Sequence, residues 1–223
     1  MNELLIKIKE DGSVAVEEIK DGIKSFKAIT PDSLLACINS SLLRGTVSSG
    51  LLPRGCISFT AHDSGDKEVV LLYQESRANI SFLDTEYPGF PLPRLVFGFH
   101  VSKEGRIGSS RLGVIAADSM IKLDTTMFHY PFSNVSGFAL CTGNNTLPKC
   151  ASLHTFGSLP YLIMAMPNNL DYFRAENNKP GLEMRDLLEL LKDKEPEYYY
   201  SDILISCQST LGDFISGKER MMQ

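Results

Sequence analysis

Apolar and polar positions interleave over residues 3 to 29, with Val14, Val16 and Ile19 set between polar neighbours. Asp11-Gly12 and Asp21-Gly22 stand at turn positions, so this stretch predicts short strands joined by tight turns. The period then changes. Thr30-Pro31-Asp32 starts a helix, with Thr30 as N-cap, Pro31 at the first helical position, and Leu34, Leu35 and Ile38 on one face. Ser48-Ser49-Gly50 to Pro53 reads as a loop and as a seam. It divides an N-terminal appendage of strands plus one helix, residues 1–49, from a main domain, residues 50–223.

Past the seam the pattern predicts an antiparallel meander. Cys56 to Ala61, Val69 to Gln74 and Ala78 to Leu83 are separated by turn-rich pieces such as Asp63-Ser64-Gly65-Asp66. Leu95 to Phe99 and Leu112 to Ala116 follow as strands around Lys103-Glu104-Gly105, with Pro88, Pro91 and Pro93 as a stiff lead-in. From Thr125 to Pro160 regular periodicity is scarce. Met127, Phe128, Tyr130, Phe132, Phe138 and Leu140 run through it, which predicts an ordered, packed loop. Helices are expected at Leu159 to Met166, Leu170 to Arg174 and Leu182 to Leu191, the last with Leu187, Leu188 and Leu191 as its apolar face. The tail around Tyr198-Tyr199-Tyr200 has no assignable period. The class is α+β: a β-meander packed on helices, with a small N-terminal α/β appendage.

Composition limits what this fold does. The chain has 223 residues, 43% of them hydrophobic, enough for one sizeable core and a small appendage. Its net charge of −5 argues against a basic stripe that would neutralise nucleic-acid phosphates, and against a polybasic membrane surface. Met1 to Glu10 breaks its apolar residues with charge and has no signal-peptide core. Val69 to Tyr73 and Leu159 to Met166 are too short to span a bilayer, so a cytoplasmic protein is expected. Five cysteines in a chain this long do not make a disulfide scaffold, so reduced thiols are expected. No phosphate-binding glycine loop, dinucleotide fingerprint or paired Cys-x-x-Cys is present. His129, Cys141, Cys150 and His154 fit no common zinc spacing, so neither a cofactor nor a metal is expected.

One segment carries chemistry. From His129 to Gly143 the chain has a proline-fixed turn at Pro131, an Asn at 134, a glycine turn at Gly137, then Cys141 followed by Thr142-Gly143. A thiol used in acyl transfer needs access for a bulky acyl donor and a nearby amide for the developing oxyanion. Asn134, across the glycine turn, is the candidate donor. On the residues alone a buried, inert cysteine is the better reading.

This segment resembles the active-site region of the ubiquitin-conjugating enzymes, whose His-Pro-Asn turn precedes the catalytic Cys by a short flap. More closely, it is similar to the bacterial family D of conjugating-enzyme-like proteins. The matching pieces are Leu51-Leu52-Pro53-Arg54-Gly55, Phe90 to Phe97 with its Pro91-Leu92-Pro93, Tyr130-Pro131-Phe132-Ser133-Asn134-Val135, Leu140-Cys141-Thr142-Gly143 and Leu147-Pro148. They span roughly residues 50 to 175, in order. The resemblance implies a ubiquitin-conjugating-enzyme-like fold. It also implies an activity: a ubiquitin-like modifier passes from an adenylating activating enzyme to Cys141 as a thioester, then to an amine on a target. In that scheme Cys141 and Asn134 are catalytic, and Tyr130, Pro131, Gly137, Thr142 and Gly143 position the turn and flap. The chain departs from the eukaryotic pattern at Tyr130-Pro131-Phe132, where His-Pro-Asn would stand, and keeps an Asn two positions later. No acidic residue that would deprotonate an incoming lysine is evident; Asp171 follows the thiol and reads as an exposed charge. Two alternatives accompany this reading. One is a non-catalytic subunit that recruits the modifier or the activating enzyme; the other is a structural component of a plasmid or phage-defence system.

Overall fold

The computed structural model describes residues 3–42, 49–118, 120–150 and 152–217, so Ser48 of the expected loop lies outside the described residues. The chain divides into two compact units, Met1–Ser49 and Gly50–Gln223. In the first, strands β1 (Glu3–Ile8), β2 (Val14–Lys20) and β3 (Ile23–Ile29) form an antiparallel sheet in that order. Asp21 and Gly22 both take positive φ, 51° and 81°, the geometry that matches a two-residue turn to the strand twist. Glu17 on β2 is clamped between Lys7 (3.1 Å) and Lys24 (3.2 Å) on its two neighbours. Helix α1 (Pro31–Leu42) follows, its first turn capped by Thr30, whose Oγ1 accepts from Ser33 N at 3.1 Å.

The second unit is built on one antiparallel sheet. Its strands are β4 (Cys56–Ala61), β5 (Lys67–Tyr73), β6 (Ser76–Phe82), β7 (Thr85–Leu92), β8 (Leu95–Val101), β9 (Ile107–Ile115), β10 (Thr126–Phe128), β11 (Val135–Ser136) and β12 (Ala139–Leu140). Helices α2 (Leu159–Met164) and α3 (Met184–Leu191), strand β13 (Ser206–Thr210) and helix α4 (Leu211–Ser216) complete it. The sheet order is β11-β12-β9-β8-β5-β4, and β10 bridges β9 to β13.

Three expectations are corrected. β6 does not continue the meander: β5 pairs directly with β8, and β6 pairs with β7 as a separate two-stranded ribbon. The proline lead-in is itself strand β7. Pro88 and Gly89 together oppose the single residue Asn79, a bulge that asks no ladder N–H of Pro88. Gly89 N instead bonds the Asn79 side chain at 3.0 Å. Residues 170–174 are not helical. Asn169 Oδ1 accepts from Asp171 N at 2.7 Å, an Asx turn that diverts the backbone from a helix.

Alternation along the central strands buries both faces of the sheet. Val69, Leu71, Tyr73, Leu95, Phe97, Phe99, Leu112 and Val114 pack with the ribbon, with α2 and α3, and with Tyr130 and Phe132. Val70, Val96 and Ile115 face the other way, onto Met127, Phe138, Leu211 and Phe214. Helix α4 is held there by a capping box in which Thr210 and Asp213 satisfy each other's backbone N–H. The tail closes the first face: buried Tyr199 donates its hydroxyl to Pro91 O at 2.9 Å.

Candidate functional site

Cys141 leaves the end of a two-residue hairpin. Ser136 pairs with Ala139 and Val135 with Leu140, leaving Gly137 and Phe138 as the turn. Gly137 takes φ 58° at the first central position, where a side chain would be strained and glycine is not. Phe138 points down and meets Phe214 edge-on at 5.1 Å, while its carbonyl accepts from Leu112 N at 2.9 Å. The hairpin is therefore stitched to β9 by backbone and anchored in the core by one ring. The ladder ends with Cys141 N donating to Asn134 O at 2.8 Å, and the Cys141 thiol is exposed.

Asn134 thus stands opposite Cys141 at the open end of the hairpin. It takes φ 66°, a left-handed conformation that asparagine tolerates better than most residues. Its N–H donates to Asp171 O at 2.8 Å, so two backbone rungs link residues 141, 134 and 171. Its side-chain amide turns to Pro167 O, at 3.5 Å, rather than toward the thiol. Asp171 is exposed, and its carboxylate accepts from Asn169 Nδ2 at 2.7 Å. The loop after Pro167 is the support that the sequence reading missed. The Pro167-Asn168-Asn169 cluster, rich in turn formers, was its available signal.

The residues expected to position the turn divide into two groups. Tyr130 and Pro131 are buried. Tyr130 meets Phe132 edge-on at 5.4 Å, and its full burial holds the phenol far above its ordinary pKa. Phe132 in turn contacts Phe90 (5.8 Å) and Tyr199 (6.3 Å). Ser133 donates to Asn168 Oδ1 at 3.1 Å, and Asn168 Nδ2 reaches Ser81 O at 3.1 Å. Residues 130–133 form a rigid strut beneath Asn134. Gly137 is exposed at the closed end of the hairpin, away from the thiol, while half-buried Thr142 and exposed Gly143 follow Cys141 directly. Asn145 closes a turn there, its N–H and side-chain amide both bonding Thr142 O at 3.0 Å. Beside this turn a groove of about 510 Å³ runs between β9 and residues 142–149, with Leu140 and Thr142, the neighbours of Cys141, in its wall.

The other candidate groups lie elsewhere. Cys150 is buried, its N–H donates to Gly105 O at 2.8 Å, and burial pushes its thiol pKa up. Burial raises Cys56 and Cys207 in the same direction, whereas Cys37 is exposed on α1. His129 is half-buried, and that burial lowers its pKa. His154 is exposed on a 3-10 turn spanning Leu153–Ser158. Among the described residues no group of three or more His, Cys, Asp or Glu side chains is arranged to hold a metal ion, and no helix is long and apolar enough to cross a membrane. No protein-family model, curated protein or solved structure matches the chain.

Proposed function

We propose that the chain is a ubiquitin-conjugating-enzyme-like acyl carrier whose nucleophile is Cys141. The observation that carries this reading is the exposed thiol at the end of an anchored hairpin, backbone-bonded to Asn134, with Asp171 one rung further. The thiol is accessible, while its backbone is fixed by the Phe138 anchor and the Asn134 rung. That combination suits a group that must accept and release a bulky acyl donor.

The Cys141 thiolate attacks the thioester carbonyl that joins the modifier's C-terminus to the activating enzyme. A new C–S bond forms to Cys141 Sγ, the old C–S bond breaks, and the activating enzyme's thiolate leaves. A target amine then attacks the Cys141 thioester. The C–N bond forms, Cys141 Sγ leaves as thiolate, and the amine's proton passes to a base. Asp171, exposed and linked to Cys141 through Asn134 by two backbone bonds, is the carboxylate we assign to that proton. Asn134 serves as oxyanion donor only if its amide swings from Pro167 O, a bond already at the long limit of 3.5 Å.

The test is incubation with the cognate activating enzyme, modifier and ATP, read on a non-reducing gel. A reducible adduct is expected for the native chain and for Cys150→Ala, and none for Cys141→Ala. An adduct that survives Cys141→Ala sinks the assignment. The direction of the Asn134 amide favours a second reading, a non-catalytic subunit that binds the modifier or the activating enzyme. Modifier binding unchanged in Cys141→Ser, with no adduct under any condition, would support that one.

A further inference from the structure

The N-terminal unit has almost no core: among its described residues Val14 is the one buried apolar side chain. It holds 49 of the 223 residues, yet eight of the seventeen large apolar side chains exposed among the described residues belong to it, more than ordinary surface scatter. The register sets Val14 between Ile8 and Ile29, Ile6 beside Val16, and Leu4 beside Glu18, so these side chains share one face of the sheet. On that face Val16 and Ile29 are half-buried, but Leu4, Ile6 and Ile8 stay 61%, 41% and 69% exposed. Helix α1 leaves an apolar stripe just as bare. Leu34, Leu35 and Ile38 lie within about 100° of its circumference, and the last two are 57% and 42% exposed. Asp32 is the one charged residue of the helix sequence, which is not the surface of a helix built to stay in water.

A three-stranded sheet with an apolar face needs a layer packed on that face, and an amphipathic helix needs a surface for its stripe. The unit holds both halves of such a layer and leaves both exposed. One residue, Thr30, connects β3 to α1, fewer than the about two to six on which a helix usually returns over its own sheet. Connectors that short favour exchange of the helix between copies. A second copy offers the same two surfaces, so one two-fold axis covers both of them twice. Leu4, Ile6, Ile8, Leu35 and Ile38 each bring on the order of 100 Å² of apolar surface, roughly 500 Å² per copy. At the roughly 65% apolar share of homodimer interfaces that amounts to about 750 Å² per copy, near the roughly 800 Å² of a stable pair.

We infer that the N-terminal unit is completed by a second copy of this chain, with α1 of each copy laid across the Leu4, Ile6 and Ile8 face of the other. The exchange stands on the N-terminal unit alone and does not depend on the chemistry at Cys141.

The test is sedimentation velocity of the full chain, with a thiol reductant present because Cys37 and Cys141 are exposed. The native chain is expected to sediment at twice the chain mass. The double variant Leu35→Asp, Ile38→Asp on the helix and the variant Ile6→Asp on the sheet are each expected to weaken the dimer at least tenfold. Leu123→Asp, at an exposed leucine of the second unit, should leave it unchanged. A monomeric native chain overturns the inference. A dimer lost in the helix variant but kept in Ile6→Asp joins helix to helix, and the converse joins sheet to sheet; either overturns the exchange. Photo-crosslinking reads the contact without a disruptive substitution. Chains carrying photo-leucine, half of them labelled with ¹⁵N, are mixed and equilibrated before irradiation. Crosslinks between the α1 and β1 peptides that join light to heavy chains are expected. Crosslinks only within light or within heavy chains mean that the helix folds onto its own sheet, and a dimer without α1–β1 crosslinks uses another surface; both outcomes overturn the exchange.

Discussion

Gly105→Ala offers a direct check on how the loop after the thiol is held. Gly105 takes φ 82°, and a Cβ built there would lie 2.2 Å from Cys150 O and 3.1 Å from Cys150 C. The backbone conformation alone costs an L residue roughly 1–2 kcal/mol. The overlap cannot be relieved by a rotamer, because the obstructing atoms are backbone, so the Cys150 N–Gly105 O bond must open. That removes about 1 kcal/mol more. Restricting the unfolded chain returns about 0.4–1 kcal/mol, leaving a net loss of roughly 1–2.6 kcal/mol. With a urea m-value of about 2–3 kcal/mol/M, the midpoint should fall by roughly 0.3–1.3 M. Circular dichroism is the readout, since the chain contains no tryptophan. Gly108→Ala is the control: its Cβ would meet only His100 Cδ2 at 3.4 Å, with no positive φ, so its midpoint should stay near the native one. A Gly105→Ala midpoint no lower than that of Gly108→Ala would refute the close approach of residues 105 and 150.

Two further outcomes test the surroundings of the site. Timed alkylation read by mass spectrometry should label exposed Cys141 and Cys37 first and Cys150 and Cys207 last, with the rates of the latter pair still climbing at alkaline pH because burial raises their pKa; Cys150 labelled as fast as Cys141 contradicts the packing. His129 is held below its ordinary pKa by burial, so the unfolded chain binds the extra proton more readily. Its contribution to stability is present in full above about pH 6.5 and lost as pH falls through that value toward the folded pKa. His129→Gln should flatten the stability profile from about pH 6.5 down to 5, and an unchanged slope would show that another group sets it.

Legibility in the sequence followed the reach of the interactions. β1 to β3 and α1 were readable because turn and cap residues sit within a few positions of what they govern: Asp21-Gly22 in the turn, and Thr30 three residues before Ser33. β7 was not. Its prolines are tolerable only in a two-stranded ribbon with a bulge at Pro88 and Gly89, and that depends on where β6 ends rather than on β7 itself. The ribbon's separation from the main sheet was equally hidden, because Leu95–Val101 takes the place beside β5 that the next strand in sequence would fill in a meander. The tail carried one local signal, the Thr210-x-x-Asp213 cap, in front of a helix of only six residues. At the site, Cys141, Asn134 and the glycine turn were legible as residue types, but their pairing was not, since the rung between them depends on the hairpin closing at Gly137 and Phe138.

Asn134 shows why the turn and the thiol act as one unit. Its N–H, C=O and side-chain amide go to three partners: Asp171 O, Cys141 N and Pro167 O. Its backbone is left-handed there, at φ 66°. The strut beneath it, from Tyr130 to Ser133, is buried and bonded through Asn168 to β6, so Asn134 has little freedom to shift as a body. Movement is left to its side chain, held by a single bond at the limit of hydrogen-bonding distance, and to the exposed thiol. A fixed backbone with one loosely held amide and one accessible sulfur is what acyl transfer would require if the amide engages only when charge develops on the carbonyl oxygen. The same rigidity makes Asn134→Gly informative: it keeps φ 66° at no steric cost and removes only the amide, so a loss of transfer in that variant with thioester loading preserved would assign the amide to the second step.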